Sequence, residues 1–366
     1  MSAFIPTGRF LLDGRTFVPE EIRDYSSRME HNESLPAWKR ELFAFIHLFL
    51  DDAGEEIIQS TSGTTGDPGE VPLKRSSMIR SAETTLDFFH LRPGDRILLC
   101  LPVHYIAGKM MVVRALVGGL HLITTEPASR PLKEVSGSFR FAAMVPLQVY
   151  ESLRNEDPLS DLDQLVIGGG ELPSSVREKL EKAERPAVYE SFAMTETCSH
   201  FALKRINGKR PDRHFRLLEG VRIWKDERGC LVVEVPGVTT GKIITSDLVE
   251  ITGGGNGFQW LGRMDNVIKS GGVKIIPEVL EQRIGHLLNR TCLILPEKDP
   301  RLGQRIVLLV ETRNQPASPE TWEELLRQYL PAHELPRRIV TVREIPRNPS
   351  FKPDRKAAVS LLSSEY

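Results

Sequence analysis

Short apolar runs alternate with amphipathic segments between residues 97 and 187, and this alternation restricts the fold more than any other feature of the chain. Residues 97–101 are typical of a buried strand, and a helical segment follows through residues 110–117. Residues 120–124 and 141–145 are the next strand-like runs. Strands that are apolar on both faces need helices on both sides. The sequence therefore predicts an α/β fold with a helix-covered sheet.

The pattern changes after residue 188, and the chain restarts as a second domain after residue 262. Residues 221–235 and 243–261 favour strands joined by turns, with a glycine-rich hairpin loop at residues 253–257. Beyond residue 262, strands and helices indicate a small α+β domain. We therefore predict a large N-terminal domain at residues 1–262 and a small C-terminal domain at residues 265–366.

The charge balance and the cysteines exclude several classes of protein. The 366 residues carry 48 basic and 49 acidic side chains, so the basic excess of a nucleic-acid binder is missing. The four cysteines show no CxxC spacing, which argues against a zinc knuckle or a dithiol redox motif. So few cysteines in so long a chain argue against a disulfide framework. No apolar run reaches the roughly 18 residues of a membrane span, and no signal-peptide pattern is present. We expect a cytoplasmic multidomain enzyme, and the sequence leaves a homo-oligomer open.

A loop rich in hydroxyl residues and glycine follows the strand-like run at residues 56–60. Its sequence at residues 60–68 is Ser-Thr-Ser-Gly-Thr-Thr-Gly-Asp-Pro. Glycines let the backbone N–H groups approach phosphate oxygens closely, and hydroxyls add donors. No Gly-Lys-Ser/Thr follows, so this is not a Walker A loop. The alternative to a phosphate site is an ordinary surface loop.

Residues 190–197 combine three groups that suit a nucleotide. Phe192 offers a ring for a base, Thr195 a hydroxyl for a phosphate, and Glu196 a carboxylate. Mg²⁺ prefers one or two carboxylates together with phosphate oxygens. Upstream, the glycines at 168–170 follow a strand-like run and would let a flat ring approach the backbone. Ordinary turns at both places are the alternative.

Three further segments carry charges at notable positions. Asp247 ends a strand-like run, where a carboxylate can accept both hydroxyls of a ribose. Residues 262–278 form a long and specific motif, which begins with Gly-Arg and ends with Pro-Glu. Near the C-terminus, Lys352 is framed by prolines and suits a positioned charge, with a solvated tail as the alternative.

Together and in this order, these motifs resemble the adenylate-forming superfamily of acyl-CoA synthetases, adenylation domains and luciferases. The resemblance covers roughly residues 57–356. It implies a large N-terminal α/β domain and a small, mobile α+β C-terminal domain that rotates about a hinge. It also implies a reaction of a small carboxylic acid with ATP and Mg²⁺, followed by transfer to CoA.

The resemblance carries roles onto individual residues. Those matching the ATP and AMP site are Ser62, Gly63, Thr64, Thr65, Gly66, Gly168, Gly169, Gly170, Phe192, Asp247 and Arg263. Those matching catalytic positions are Lys352, Glu196 and Thr195, with Glu196 also as the Mg²⁺ ligand. Those matching the CoA side and the hinge are Lys269, Gly271, Gly272 and Asp265.

Residues 101–111 and 195–200 resemble the o-succinylbenzoate–CoA ligases of menaquinone biosynthesis within this superfamily. That acid carries a second carboxylate, so its pocket should offer a cation or several donors. Lys109 and His200 are the candidates for this role, and His104 is a candidate for the pocket wall. For each of them, simple packing or solvent exposure remains the alternative.

Three positions depart from the superfamily pattern. Residues 68–70 are Pro-Gly-Glu where Pro-Lys-Gly is usual, and Lys74 is left open as a replacement cation. Ala193 and Phe351 stand where glycines are usual. Two alternatives therefore stay open: an adenylating enzyme with another acid or a carrier-protein acceptor, and a nucleotide-binding module that has lost catalysis.

Overall fold

The computed structural model describes residues 9–51, 54–60, 69–312, 318–348 and 353–362. The chain divides into two compact units. The first unit comprises Met1–Gly169, Val176–Ile223 and Val233–Ile243. The second comprises Gly170–Ser175, Trp224–Val232 and Ile244–Tyr366. The predicted domain boundary at residues 262–265 stays a prediction.

Strands and helices alternate along most of the first unit. Its elements are β1 (Phe10–Leu12), β2 (Arg15–Phe17), α1 (Pro19–Met29), α2 (Ala37–Leu50), β3 (Glu56–Ser60), β4 (Glu70–Lys74), α3 (Arg75–Phe89), β5 (Arg96–Leu99), α4 (Ile106–Gly118), β6 (His121–Thr124), β7 (Phe141–Met144), α5 (Pro146–Arg154), β8 (Gln164–Ile167), α6 (Ser174–Glu181), β9 (Ala187–Ala193), β10 (His200–Arg205) and β11 (Phe215–Leu217). The strand order is β2-β1-β6-β5-β7-β8-β9-β10-β11, while β3 and β4 form a separate hairpin.

Six neighbouring strands of this sheet run parallel, and they are β1, β6, β5, β7, β8 and β9. Parallel neighbours need crossover connections, and α4, α5 and α6 supply them between β5 and β6, β7 and β8, and β8 and β9. Leu98, Phe141, Leu165 and Val188 on these strands are fully buried. This architecture agrees with the α/β sheet that the alternating apolar runs predict.

The remaining elements are mostly strands. They are β12 (Arg222–Lys225), β13 (Cys230–Glu234), β14 (Ile243–Thr252), β15 (Gly257–Arg263), β16 (Ile268–Ser270), β17 (Val273–Ile275), α7 (Pro277–Leu288), β18 (Cys292–Asp299), β19 (Gly303–Glu311), α8 (Pro319–Tyr329), β20 (Arg338–Val342) and α9 (Arg355–Leu362). β14 and β15 pair antiparallel, and the turn between them contains Gly253, Gly254 and Gly255 at positive φ. The predicted glycine-rich hairpin loop is thus confirmed, because glycine adopts this conformation without strain.

A second sheet has the order β17-β16-β19-β18, with β20 parallel to β19. Successive side chains of β19 point to opposite faces, as the pleat requires. Leu308 packs with Leu280 of α7 and Leu326 of α8 in one cluster. Leu309 packs with Ala358 of α9 in another. Helices therefore cover both faces of this sheet, in an α+β arrangement. Among the described residues, no helix is both long and apolar enough to cross a bilayer.

Candidate active site

Gly168 and Gly169 follow β8 at the carboxyl end of the parallel strands. A Cβ on Gly168 would collide with Ser191 Oγ, which donates a hydrogen bond to the Ile167 carbonyl at 3.1 Å. Gly169 has φ of +82°. Close approach of β9 therefore requires glycine at 168, and backbone geometry favours it at 169. Gly170, the first residue of the second unit, completes the predicted glycine segment.

Phe192 lies on β9 and is half-buried. Its ring stands edge-on to those of Phe201 and Phe215, at centroid distances of 5.6 and 5.4 Å. These two rings fix its orientation. Such a held ring suits stacking on a base, the role the sequence assigns to it.

Thr195 and Glu196 begin a 3₁₀ turn at Thr195–Thr197, directly after β9. Thr197 is buried, and its Oγ1 lies 2.7 Å from the Ser199 carbonyl oxygen, which fixes the turn. Glu196 is exposed, and no ion pair engages it within the described part of the chain. Its carboxylate offers the hard oxygen atoms that Mg²⁺ prefers. The residues present therefore fit the predicted metal.

Asp247, Arg263 and Asp265 lie together in the second unit. The antiparallel register places Asp247 directly opposite Arg263. Arg263 Nη1 is 3.9 Å from Asp247 Oδ1, and Arg263 Nη2 donates to Asp265 Oδ2 at 2.8 Å. Trp260 Nε1 also donates to Asp247 Oδ1, at 3.0 Å. Trp260 was not predicted as part of the site, although the sequence shows it three residues before Arg263 in the same strand-like run.

The segment predicted to face CoA forms the hairpin of β16 and β17. Lys269 lies directly opposite Lys274, and both are exposed. Gly271 and Gly272 form the turn with φ of +57° and +85°. The Gly271 N–H donates to the Leu302 carbonyl at 3.0 Å. This hairpin presents two unpaired ammonium groups, as far as the described residues show, on one face.

Two predicted parts of the site lie outside the described residues. They are the phosphate loop from Ser62 to Gly66 and the catalytic Lys352. Arg347 forms an isolated antiparallel bridge with Pro353, and the Asp354 N–H donates to the Pro346 carbonyl at 2.8 Å. These contacts hold the described ends of the segment that contains Lys352.

The three acyl-pocket candidates lie in the first unit in different surroundings. Lys109 Nζ donates to Oε1 of the buried Gln59 at 2.7 Å, and burial lowers the pKa of Lys109. Gln59 Nε2 also donates to the His104 carbonyl at 3.0 Å. The His104 ring itself is exposed and lies 3.5 Å from Glu41. Lys109 is therefore a held cation, whereas His104 borders solvent.

His200 is buried and touches two hydroxyl groups. Its Nε2 is 3.3 Å from Thr85 Oγ1, and its Nδ1 is 3.3 Å from Ser199 Oγ. Burial, and then the positive charge of Arg114, hold the pKa of His200 well below its usual value. The imidazole is therefore neutral at pH 7 and offers hydrogen bonds rather than a charge.

Sequence reasoning missed Arg114, which sits beside His200. Its side chain is buried on α4, and its Nη2 donates to Ser199 Oγ at 2.5 Å. Nε is buried and has no hydrogen-bond partner among the described residues, and no described carboxylate pairs with the guanidinium. Burial lowers the pKa of Arg114 to about 9, so it is charged at pH 7. A lone arginine inside the apolar run at residues 110–116 was the available signal.

An isolated buried charge is expensive unless something neutralises it. The Arg114 guanidinium supplies N–H donors for an anionic group, among them the buried Nε. The Ser199 hydroxyl accepts from Arg114 and contacts the neutral His200 ring, so these two side chains hold the guanidinium in place. This cluster is therefore suited to hold a carboxylate of a small molecule.

A cavity of about 640 Å³ lies elsewhere in the first unit. Its lining includes Phe88, Arg140, Gln164 and Ala187. Gln164 and Ala187 are the first residues of β8 and β9, whereas Gly168 and Thr195 follow the ends of these strands. The cavity is therefore distinct from the predicted nucleotide site.

Comparison with known proteins gives one matching family model, described as AMP-binding enzyme, at residues 56–244. The chain is 28% identical over 336 residues to a probable 2-succinylbenzoate–CoA ligase of Mycobacterium tuberculosis, covering 84% of this chain and 85% of the relative. It is 26% identical over 313 residues to the 2-succinylbenzoate–CoA ligase of Salmonella typhimurium, covering 81% and 67%.

Solved structures agree with these matches. An AMP-forming acyl-CoA synthetase and AMP-acid ligase II-like protein from Dyadobacter fermentans is 34% identical, with a TM-score of 0.62 and coverage of 93% of this chain and 98% of that chain. The Bacillus subtilis o-succinylbenzoate CoA synthetase in complex with its acyl-adenylate intermediate is 17% identical, with a TM-score of 0.74 and 95% coverage of both chains. The second likeness is one of fold, and the predicted fold class is confirmed.

Proposed function

Because the chain belongs to the AMP-binding enzyme family, we propose that it is an AMP-forming ligase that joins 2-succinylbenzoate to CoA. The names of its relatives support the acid and the acceptor. The observation that carries the choice of acid is the buried Arg114 guanidinium, which no described carboxylate pairs. A diacid supplies the missing anion, because only one of its carboxylates reacts.

The reaction has two steps. The substrate carboxylate attacks the α-phosphorus of ATP, and pyrophosphate leaves. The CoA thiol, losing its proton, then attacks the carbonyl carbon of the acyl-adenylate, and AMP leaves with the electron pair of the broken C–O bond. Both steps develop negative charge on oxygen, so positioned cations and hydrogen-bond donors accelerate them.

Several residues are proposed to contact the nucleotide. Phe192, fixed by its two neighbouring rings, stacks on the base. Asp247 accepts the ribose hydroxyls, while Trp260 and Arg263 hold its carboxylate in place. The glycines at 168–170 and the loop from Ser62 to Gly66 contribute backbone contacts to adenine and to the phosphates.

Charge on the phosphates is met by three groups. Thr195 donates a hydrogen bond to phosphate, and Glu196 would hold Mg²⁺, which would neutralise phosphate charge. Lys352 reaches the α-phosphate and the attacking carboxylate, a role that suits a compact charge on a flexible stem. The small domain then turns about Asp265, which brings Lys269, Gly271 and Gly272 toward the thiol.

The second carboxylate of the acid binds at Arg114. Ser199 Oγ accepts a hydrogen bond from the guanidinium and contacts the His200 ring, so both side chains hold Arg114 in place for that carboxylate. Lys109 was predicted to supply the cation of the acyl pocket, but Gln59 already accepts one of its hydrogen bonds. His104, which borders solvent, lines the entrance.

Mass spectrometry of a reaction with 2-succinylbenzoate, ATP and Mg²⁺, run with and without CoA, tests this function. We expect the CoA thioester and AMP only when CoA is present, and acyl-AMP when it is absent. Acyl-AMP that persists with CoA would point to a carrier-protein acceptor. No adenylate, together with ATP binding in a titration of the same sample, would contradict the ligase and favour a module that has lost catalysis.

A further inference from the structure

A row of polar contacts in the second unit has no part in the reaction described so far. Asn266 Nδ2 donates to Glu278 Oε1 at 2.5 Å. Arg355 Nη2 lies 3.5 Å from the same oxygen. One carboxylate, in the first turn of α7, thus contacts both the residue after Asp265 and the first residue of α9.

The Glu278 carboxylate is fixed by packing as well as by these contacts. Its side chain is 10% exposed, and Oε2 is buried without a hydrogen-bond partner among the described residues. Oε2 lies against Gly262, where a Cβ would collide with it. The N-terminus of α7 also favours a negative charge at this position. Glu278 is therefore held in one place, unlike an exposed member of a surface ion pair.

Arg355 has two further anchors. Nη2 donates to Glu281 Oε2 at 2.8 Å, and Nη1 donates to the Ile294 carbonyl at 2.9 Å. Glu281 is in turn held by the Ile294 N–H, which donates to its Oε1 at 2.7 Å. The planar guanidinium engages these groups in a fixed geometry. The start of α9 is thereby joined to α7 and β18.

We propose that Arg355 and Glu278 are positioning residues for adenylate formation. Arg355 comes three residues after Lys352 and fixes the chain at that point. Glu278 ties this point to Asn266, the neighbour of the predicted hinge residue Asp265. The row thus links the hinge segment to the chain that carries the catalytic lysine. This inference rests on the proposed function, because it assigns Lys352 to the first half-reaction.

Arg355→Lys in the full chain is the main test, and Arg338→Lys is its matched control. Arg338 has a similar exposure, 26% against 22%, but it pairs with Glu297 and contacts the Leu362 carbonyl at the opposite end of α9. The two half-reactions are measured separately: pyrophosphate release from ATP and 2-succinylbenzoate, and thioester formation from supplied acyl-adenylate and CoA. Melting temperatures are measured alongside.

We expect Arg355→Lys to lower kcat of adenylate formation by about 10- to 100-fold, because a misplacement of about 1 Å can cost about 10²-fold in rate. The rate of thioester formation from supplied acyl-adenylate should stay within about twofold, since Lys352 is assigned to the first half-reaction alone. Arg338→Lys should leave both half-reactions within about twofold of the wild type. Equal loss of both half-reactions in the two variants, or wild-type adenylation by Arg355→Lys, would overturn the proposal.

Asn266→Ala is the second variant, because it removes one half-buried amide and keeps the ion pairs of Arg355. We expect the same selective loss, by about 3- to 10-fold, from one removed hydrogen bond to a charged group. Unchanged adenylation by Asn266→Ala would contradict the link to the hinge. Absence of adenylate with the wild type contradicts the proposed function instead, so the two failures are distinguishable.

Discussion

The two units each contain a largely buried arginine, and the two arginines differ in their partners. Arg355 in the second unit faces Glu278 and Glu281 and a backbone carbonyl. Arg114 in the first unit faces a hydroxyl and a sulfur atom, and no described carboxylate pairs with it. A paired buried charge organises its own structure, whereas an unpaired one is expensive until a ligand completes it. The paired Arg355 is thus suited to positioning, whereas the unpaired Arg114 is suited to binding.

Replacing Arg355 by Met gives the largest effect on stability that this difference predicts. The change leaves the carboxyl groups of Glu278 and Glu281 without their cation. Breaking a buried ion pair from one side typically lowers the free energy of unfolding by about 3–5 kcal/mol. Urea unfolding of the variant and the wild type measures this decrease. A decrease no larger than that of an ordinary surface substitution would contradict a stabilising role for the paired Arg355.

Replacing Arg114 by Met should have the opposite sign. The substitution keeps an unbranched apolar stem and removes a buried charge that no described carboxylate neutralises. Replacing buried charges by apolar groups is often neutral or stabilising by about 1–4 kcal/mol. In ligand-free protein we expect the free energy of unfolding to stay the same or to rise. A decrease as large as that of Arg355→Met would show that Arg114 serves the fold.

Glu281, which accepts a hydrogen bond from Arg355, should make the stability of the fold depend on pH. Burial raises the pKa of Glu281 to about 8, against the opposing effects of Arg355 and the Ile294 N–H. Nearby Glu278 and Glu171 add to the upward shift. The folded chain therefore binds the proton more tightly than the unfolded chain, whose Glu pKa is near 4.5.

This difference in bound protons determines whether the free energy of unfolding rises or falls with pH. Between about pH 4.5 and pH 8 the folded chain holds more protons, so the free energy of unfolding falls as pH rises, by at most about 1.4 kcal/mol per pH unit from this group. Glu281→Gln should flatten the decline, as urea unfolding at several pH values would measure. An equal slope in variant and wild type would contradict the assignment to Glu281.

The exposed Lys269 and Lys274 give the smallest predicted effect. They lie directly opposite each other on β16 and β17, where like charges repel. Water screens this repulsion, so Lys274→Glu should raise the free energy of unfolding by only about 0.2–1 kcal/mol. Unfolding at low and high salt measures the difference, which should shrink at high salt. A larger effect that does not change with salt would contradict the view that an exposed, unpaired cation lowers the free energy of unfolding only slightly.

Local signals in the sequence predicted much of the fold. The bounds of α7 follow from such signals, because Pro277 suits the first turn and Asn289 ends the helix in the left-handed conformation. The helix predicted at residues 110–117 begins earlier, at Ile106, in α4. Gly108 in this helix packs against the Pro102 carbonyl. A glycine at this position therefore permits close packing and does not break the helix.

The residues of the site were harder to predict than the fold, because some of their contacts join residues far apart along the chain. Asp247 and Arg263 were visible as motif residues, and their pairing follows from one hairpin. Arg114 was missed because Ser199, which accepts its hydrogen bond, lies 85 positions away and only the folded structure brings them together. The roles of the phosphate loop and of Lys352 stay predictions, since both lie outside the described residues.

The most direct test of the account compares two acids. Pyrophosphate release is measured with 2-succinylbenzoate and with benzoate, which lacks the second carboxylate, using the wild type and Arg114→Met. We predict that the wild type prefers the diacid by about 10²-fold or more in kcat/KM, as expected when a buried charge pair is completed, and that the variant loses most of this preference. A variant that keeps the preference, or a wild type that uses both acids equally, would contradict the assignment of Arg114 to the second carboxylate.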